Sequence, residues 1–125
     1  MFSDNNWVAK AAVGAPPERV FKQIAAIRRE EITALGSDYS DALRLDEEQR
    51  TITVTGHWWY QGAHTVNAHP KGSEVTYRVS NVARRTRTLA FLHKPFYSRR
   101  MRQDFAQMLR QVCNELDCTF IIERD

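Results

Sequence analysis

No stretch of this chain is apolar for long enough to cross a membrane as a helix. Such a span takes about 20 apolar residues, and no run of even eighteen occurs. The opening residues, Met1 to Asn6, are polar and lead into no apolar signal segment, so a cytoplasmic location is expected. Cysteine is scarce. Cys113 and Cys118 stand five apart, which is neither a C-x-x-C redox pair nor half of a zinc site, and both are expected as free thiols. Histidine is nearly as rare. His57 and His69 fall on the opposite strand parity from His64, and no two histidines sit four apart on an expected helix, so no metal site is expected. There is no P-loop, no G-x-G-x-x-G and no G-x-S-x-G, so no nucleotide cofactor and no serine-hydrolase elbow is implied. Carboxylates are missing from the inward face of every clear strand, which argues against hydrolases that need paired acids in a pocket.

What is present is an ordinary globular composition. The chain has 125 residues, 42% apolar and 26% charged, which fits a single domain over residues 1–125. A chain of this size buries roughly two-thirds of its unfolded surface and needs no disulfide or metal to fold. The net charge is only +3, but it is unevenly placed. Between Arg84 and Arg102 stand six arginines and one lysine with no acid. The basicity is therefore a local patch of Arg84, Arg85, Arg87, Arg99, Arg100 and Arg102.

Along the chain, Asn6 to Val13 reads as a strand, broken at Gly14-Ala15. Pro16, Pro17 and Glu18 suit a first helical turn. Val20, Phe21, Ile24, Ala25 and Ile27 then recur at helical spacing, with an end expected near Arg28. Beyond it a short helix to Leu35, stopped by Gly36, is expected. Asp41 to Asp46, Thr51 to Trp58, Ala63 to His69 and Ser73 to Val82 alternate in polarity and read as strands. Their short connections make them antiparallel. Thr86 to His93 fits a short helix broken at Pro95. Tyr97 to Leu116 is a long amphipathic helix striped by Met101, Phe105, Met108, Leu109, Val112 and Leu116. Cys118 to Ile122 fits an edge strand. One-faced strands and one-faced helices must bury those faces on each other, giving an α+β domain.

Three segments carry a family resemblance. Gly14-Ala15-Pro16-Pro17-Glu18-Arg19-Val20-Phe21 resembles the strand-to-helix junction of the SRPBCC superfamily, the START and polyketide-cyclase-like proteins. Gly72-Ser73-Glu74-Val75-Thr76-Tyr77-Arg78-Val79 resembles its late strand, and Arg99 to Leu116 is similar to its terminal helix. The resemblance implies a helix-grip fold, a curved antiparallel sheet wrapped around a long C-terminal helix. It also implies a cavity for a lipid, polyketide or similar molecule. Arg28 to Arg50 is shorter than the family's middle region and lacks its tryptophan.

Strand parity then selects a lining. Trp58, Tyr60, His64, Val66, Tyr77, Val79 and Asn81 from the strands join Phe105, Met108 and Leu109 from the helix. Apolar walls with a few convergent polar groups are what ligand pockets offer. His64 is the candidate for chemistry, either donating to a ligand carbonyl or acting as a general base. The expected function is binding or carriage of a small hydrophobic molecule. A cyclase- or aromatase-like enzyme and an interaction module, with a homodimer as one form, are the alternatives. The arginine patch admits a solvated surface or docking to an anionic membrane or phosphate group. Nucleic acid is not expected, since no recognition motif accompanies the charge.

Overall fold

The computed structural model describes residues 7–35, 43–55, 60–81 and 94–123. Its elements run β1 (Trp7–Val13), α1 (Pro17–Leu35), β2 (Leu43–Asp46), β3 (Thr51–Thr55), β4 (Tyr60–His69), β5 (Gly72–Asn81), α2 (Lys94–Leu116) and β6 (Phe120–Ile122). The described strands form one antiparallel sheet in the order β2-β3-β4-β5-β1-β6. The α+β class expected from the sequence is thus present. The expected helix at Thr86 to His93 and the stop at Gly36 lie outside the described residues.

Among the described residues, two helices share one face of the sheet. α1 packs against β2 through β5, and α2 packs against α1, β1 and β6. The expectation of a single gripped helix is therefore too simple. α1 is also longer than its apolar pattern suggested. It continues unbroken past Arg28 because Arg28 itself occupies the inward face, between Ile24 and Ile32, all three buried. An arginine at a core position reads as an outward residue in sequence and hides the continuation. Pro95 lies in the first turn of α2, where a missing N–H costs nothing.

The long central strands hold the register. Ala9, Tyr77, His64 and Ile52 lie side by side across β1, β5, β4 and β3 and form one row of the inner face. Ala11, Val75 and Val66 form the next row. All seven are buried. Burying an apolar side chain the size of Val or Ile contributes about 1.5–3 kcal/mol.

The β1–α1 junction is locked to the start of β5. Gly72 has a φ of 133°, and a Cβ there would come within 2.6 Å of the Val13 carbonyl oxygen and 2.7 Å of the Ala15 nitrogen. Only glycine tolerates both. The buried Ser73 hydroxyl donates to the Ala15 carbonyl. Two of the segments that resemble the family's motifs therefore meet in space and form one joint. At the far end, α2 stops at Asp117, which takes a left-handed φ of 56°. The Cys118 N–H closes the turn on the Cys113 carbonyl at 3.0 Å.

Candidate functional site

A buried polar cluster interrupts the inner face where α1, α2, β4 and β5 converge. His64 and Tyr77 are each 1% exposed. Their rings stack with centroids 4.2 Å apart and planes at 17°. Tyr77 also meets Phe105 at 5.5 Å and the edge of Trp7 at 5.7 Å. Its position is thereby fixed from α2, β1 and β4 together.

Arg28 reaches into this group from α1. Its Nε–H donates to His64 Nε2 at 3.0 Å. One terminal nitrogen donates to both carboxylate oxygens of Glu31, at 2.9 and 3.1 Å. The other donates to Asp104 Oδ2 on α2 at 3.2 Å. The Tyr77 hydroxyl donates to the same Asp104 oxygen at 3.3 Å. The guanidinium side chain is 7% exposed, whereas those of Glu31 and Asp104 are 54% and 41% exposed. The cation is thus inside and its carboxylates stand at the rim. Burial works against the Arg28 charge, but Asp104 and Glu31 outweigh it and raise its pKa.

The proton on His64 follows from chemistry. A guanidinium has donors and no acceptor. Nε2 must therefore accept from Arg28, which places the imidazole proton on Nδ1. Burial, and then the neighbouring Arg28 charge, hold the His64 pKa well below its ordinary value, so the ring stays neutral. Nδ1 is buried and meets no hydrogen-bond partner among the described residues. A buried donor without a partner costs about 1–3 kcal/mol. In this arrangement the ring has no free lone pair, and general-base action at His64 requires the Arg28 bond to break first.

The expected lining residues fall as follows. His64, Val66, Tyr77, Val79, Phe105, Met108 and Leu109 are all buried in the sheet–helix interior. Tyr60 and Asn81 pair with each other at the ends of β4 and β5, and their side chains lie outside the described residues, as does Trp58. Arg99 and Arg102 are exposed on the first half of α2. Arg84, Arg85, Arg87 and the side chain of Arg100 lie outside the described residues. Arg28, Glu31 and Asp104 were missed by the sequence reading. The signal existed: Arg28 stands four residues from both Ile24 and Ile32, and Asp104 is flanked at helical spacing by Met101 and Met108.

Two other groupings stand out among the described residues. A cleft of about 160 Å³ is lined by Glu18, Phe21, Lys22, Glu47 and Arg50. It lies about two helical turns along α1 from Arg28. His69, Glu74 and Glu123 bring one possible ligand atom each within 4.8 Å. His69 Nδ1 accepts the Lys71 N–H at 3.1 Å. The proton then sits on Nε2, leaving the ring no lone pair for a cation, the reverse of the donor arrangement usual behind a metal-bound histidine.

The crystal structure of TTHA0849 from Thermus thermophilus has a similar fold. The match has a TM-score of 0.51 and 13% identity, covering 86% of this chain and 93% of that one. No family model matches this chain, and no curated protein does.

Proposed function

We propose that this chain is a helix-grip protein of the SRPBCC kind that holds a small, mostly apolar molecule between its sheet and helices, as a carrier or binding protein. The observation that carries the reading is the buried N–H of His64, which has no partner among the described residues although Arg28 and Tyr77 hold the ring in place. Natural cores rarely leave such a donor unsatisfied. A ligand that supplies the missing acceptor and replaces some apolar contacts removes the cost. Apolar lining around a few fixed polar groups is the usual form of a small-molecule site. The engaged Nε2 lone pair favours binding over a cyclase-like reaction. The exposed Arg99 and Arg102 give α2 a basic outer edge suited to an anionic surface on which such a molecule is collected or released.

The test is to purify the untagged protein and compare native with denaturing mass spectrometry, then titrate it with the neutral dye Nile red. A reproducible apolar molecule lost on unfolding, or saturable dye binding that a His64→Leu variant alters, is the expected result. No released molecule together with no saturable dye binding contradicts the reading.

A further inference from the structure

The same cluster specifies the chemistry of the ligand's polar end, given the binding reading above. Three of its facts bear on this. Each nitrogen of the Arg28 guanidinium already donates, Nε to His64 and the terminal nitrogens to Glu31 and Asp104. Arg28 therefore faces two carboxylates, and among the described residues of the cluster no positive charge is left over to receive an anion. The hydroxyl of Tyr77 is already a donor to Asp104. Among the described residues, the buried side-chain nitrogen left without a partner is Nδ1 of His64, on a ring held between Arg28 and Tyr77.

We propose that the polar end of the bound molecule is a neutral oxygen acceptor, a ketone, ester or amide carbonyl, hydrogen-bonded to His64 Nδ1–H, and that the site rejects carboxylates. An ammonium group is excluded because it has no lone pair to offer. A carboxylate has lone pairs but would have to be buried beside a cation already shared by the rim carboxylates of Glu31 and Asp104, at a desolvation cost that Arg28 does not offset. A neutral carbonyl satisfies the donor without either penalty. Arg28 acts here as a positioning residue: its Nε–H fixes the tautomer that makes Nδ1 a donor.

Three probes of one shape separate the possibilities. They are 2-acetylnaphthalene, a neutral ketone, 2-ethylnaphthalene, which lacks the acceptor, and 2-naphthoate, which carries the charge. Dissociation constants and the imidazole ¹⁵N resonances of His64 are followed by NMR at neutral pH. The ketone is expected to bind about three- to tenfold tighter than the ethyl compound, the worth of one neutral hydrogen bond. It alone should shift the Nδ1 resonance strongly, and the naphthoate should bind weakest. His64→Phe should erase the preference for the ketone, and if that variant does not fold, the ketone-to-ethyl ratio in the native protein decides alone. Equal affinity for ketone and ethyl compound, or tightest binding of naphthoate, overturns the carbonyl assignment while leaving the binding reading in place. Failure of all three to bind removes the binding reading itself and the assignment with it.

Discussion

Ser73 and His64 are both buried polar side chains on neighbouring strands, yet their hydrogen bonding is opposite. Ser73 is satisfied by the Ala15 carbonyl, beside a glycine that no other residue can replace without a backbone clash. His64 is satisfied at one nitrogen and unpaired at the other. The first belongs to a joint that fixes the chain's path from β1 into α1. The second belongs to a cluster that is tied to both helices and still has a donor to offer. A polar core residue with a complete set of partners reads as architecture, and one with an incomplete set reads as a site.

The comparison breaks most visibly at the joint. Gly72→Ala is expected to cost upwards of ~3 kcal/mol, because both its φ and its space forbid a side chain. A stability in urea within ~1 kcal/mol of the parent would show that the joint is not rigid. Arg28→Met comes next, at about 2 kcal/mol. Removing one partner of a buried pair costs more than that, but Glu31 and Asp104 are half-exposed and recover water. The double variant Arg28→Met with His64→Phe should regain part of the loss, since removing both ends of a buried hydrogen bond strands neither. Full additivity in that cycle would uncouple the two residues.

Acid acts on the His64 side of the comparison alone. The folded-state pKa lies below the unfolded value near 6.5, so the unfolded chain binds the proton first. The His64 contribution is therefore intact above about pH 6.5. It is lost as pH falls below that value, by up to ~1.4 kcal/mol per pH unit. His64→Gln should flatten this part of the stability profile, and an unchanged slope would place the titration elsewhere. Ser73→Ala is the smaller counterpart on the other side, about 1 kcal/mol with no pH dependence. At the C-terminal turn of α2 the Cys118 thiol donates to Cys113 Sγ at 3.2 Å. Burial, with Cys118 alongside, pushes the Cys113 thiol up to about 12. Iodoacetamide at about pH 8 should therefore modify Cys118 first, and faster labelling of Cys113 would contradict this packing.

Much of the fold was legible because its signals are local. Alternation in Ser73 to Val82 and the stripe from Met101 to Leu116 marked β5 and most of α2, and parity placed His64, Val66, Tyr77 and Val79 on the inner face. The turn between β4 and β5 was legible through Pro70-Lys71-Gly72. What escaped was the use of charge inside. Arg28 and Asp104 carry the cluster from positions where a pattern of apolar residues is read straight past them, and their pairing joins residues 76 positions apart. No local rule shows that a guanidinium from α1 meets a carboxylate from α2. The length of α1 was misjudged for the same reason, since Arg28 looked like an end and is a core contact.

The most direct test of the account is the protonation state of His64 itself, read from the imidazole ¹⁵N resonances of the folded protein between about pH 5 and 8. A neutral ring in the Nδ1–H form is expected at neutral pH, with any titration well below 6.5, and Nδ1 should shift when 2-acetylnaphthalene is added. A ring that titrates near its ordinary value of 6.5, or one that carries its proton on Nε2, would contradict it, because the buried donor on which the binding reading stands would not exist.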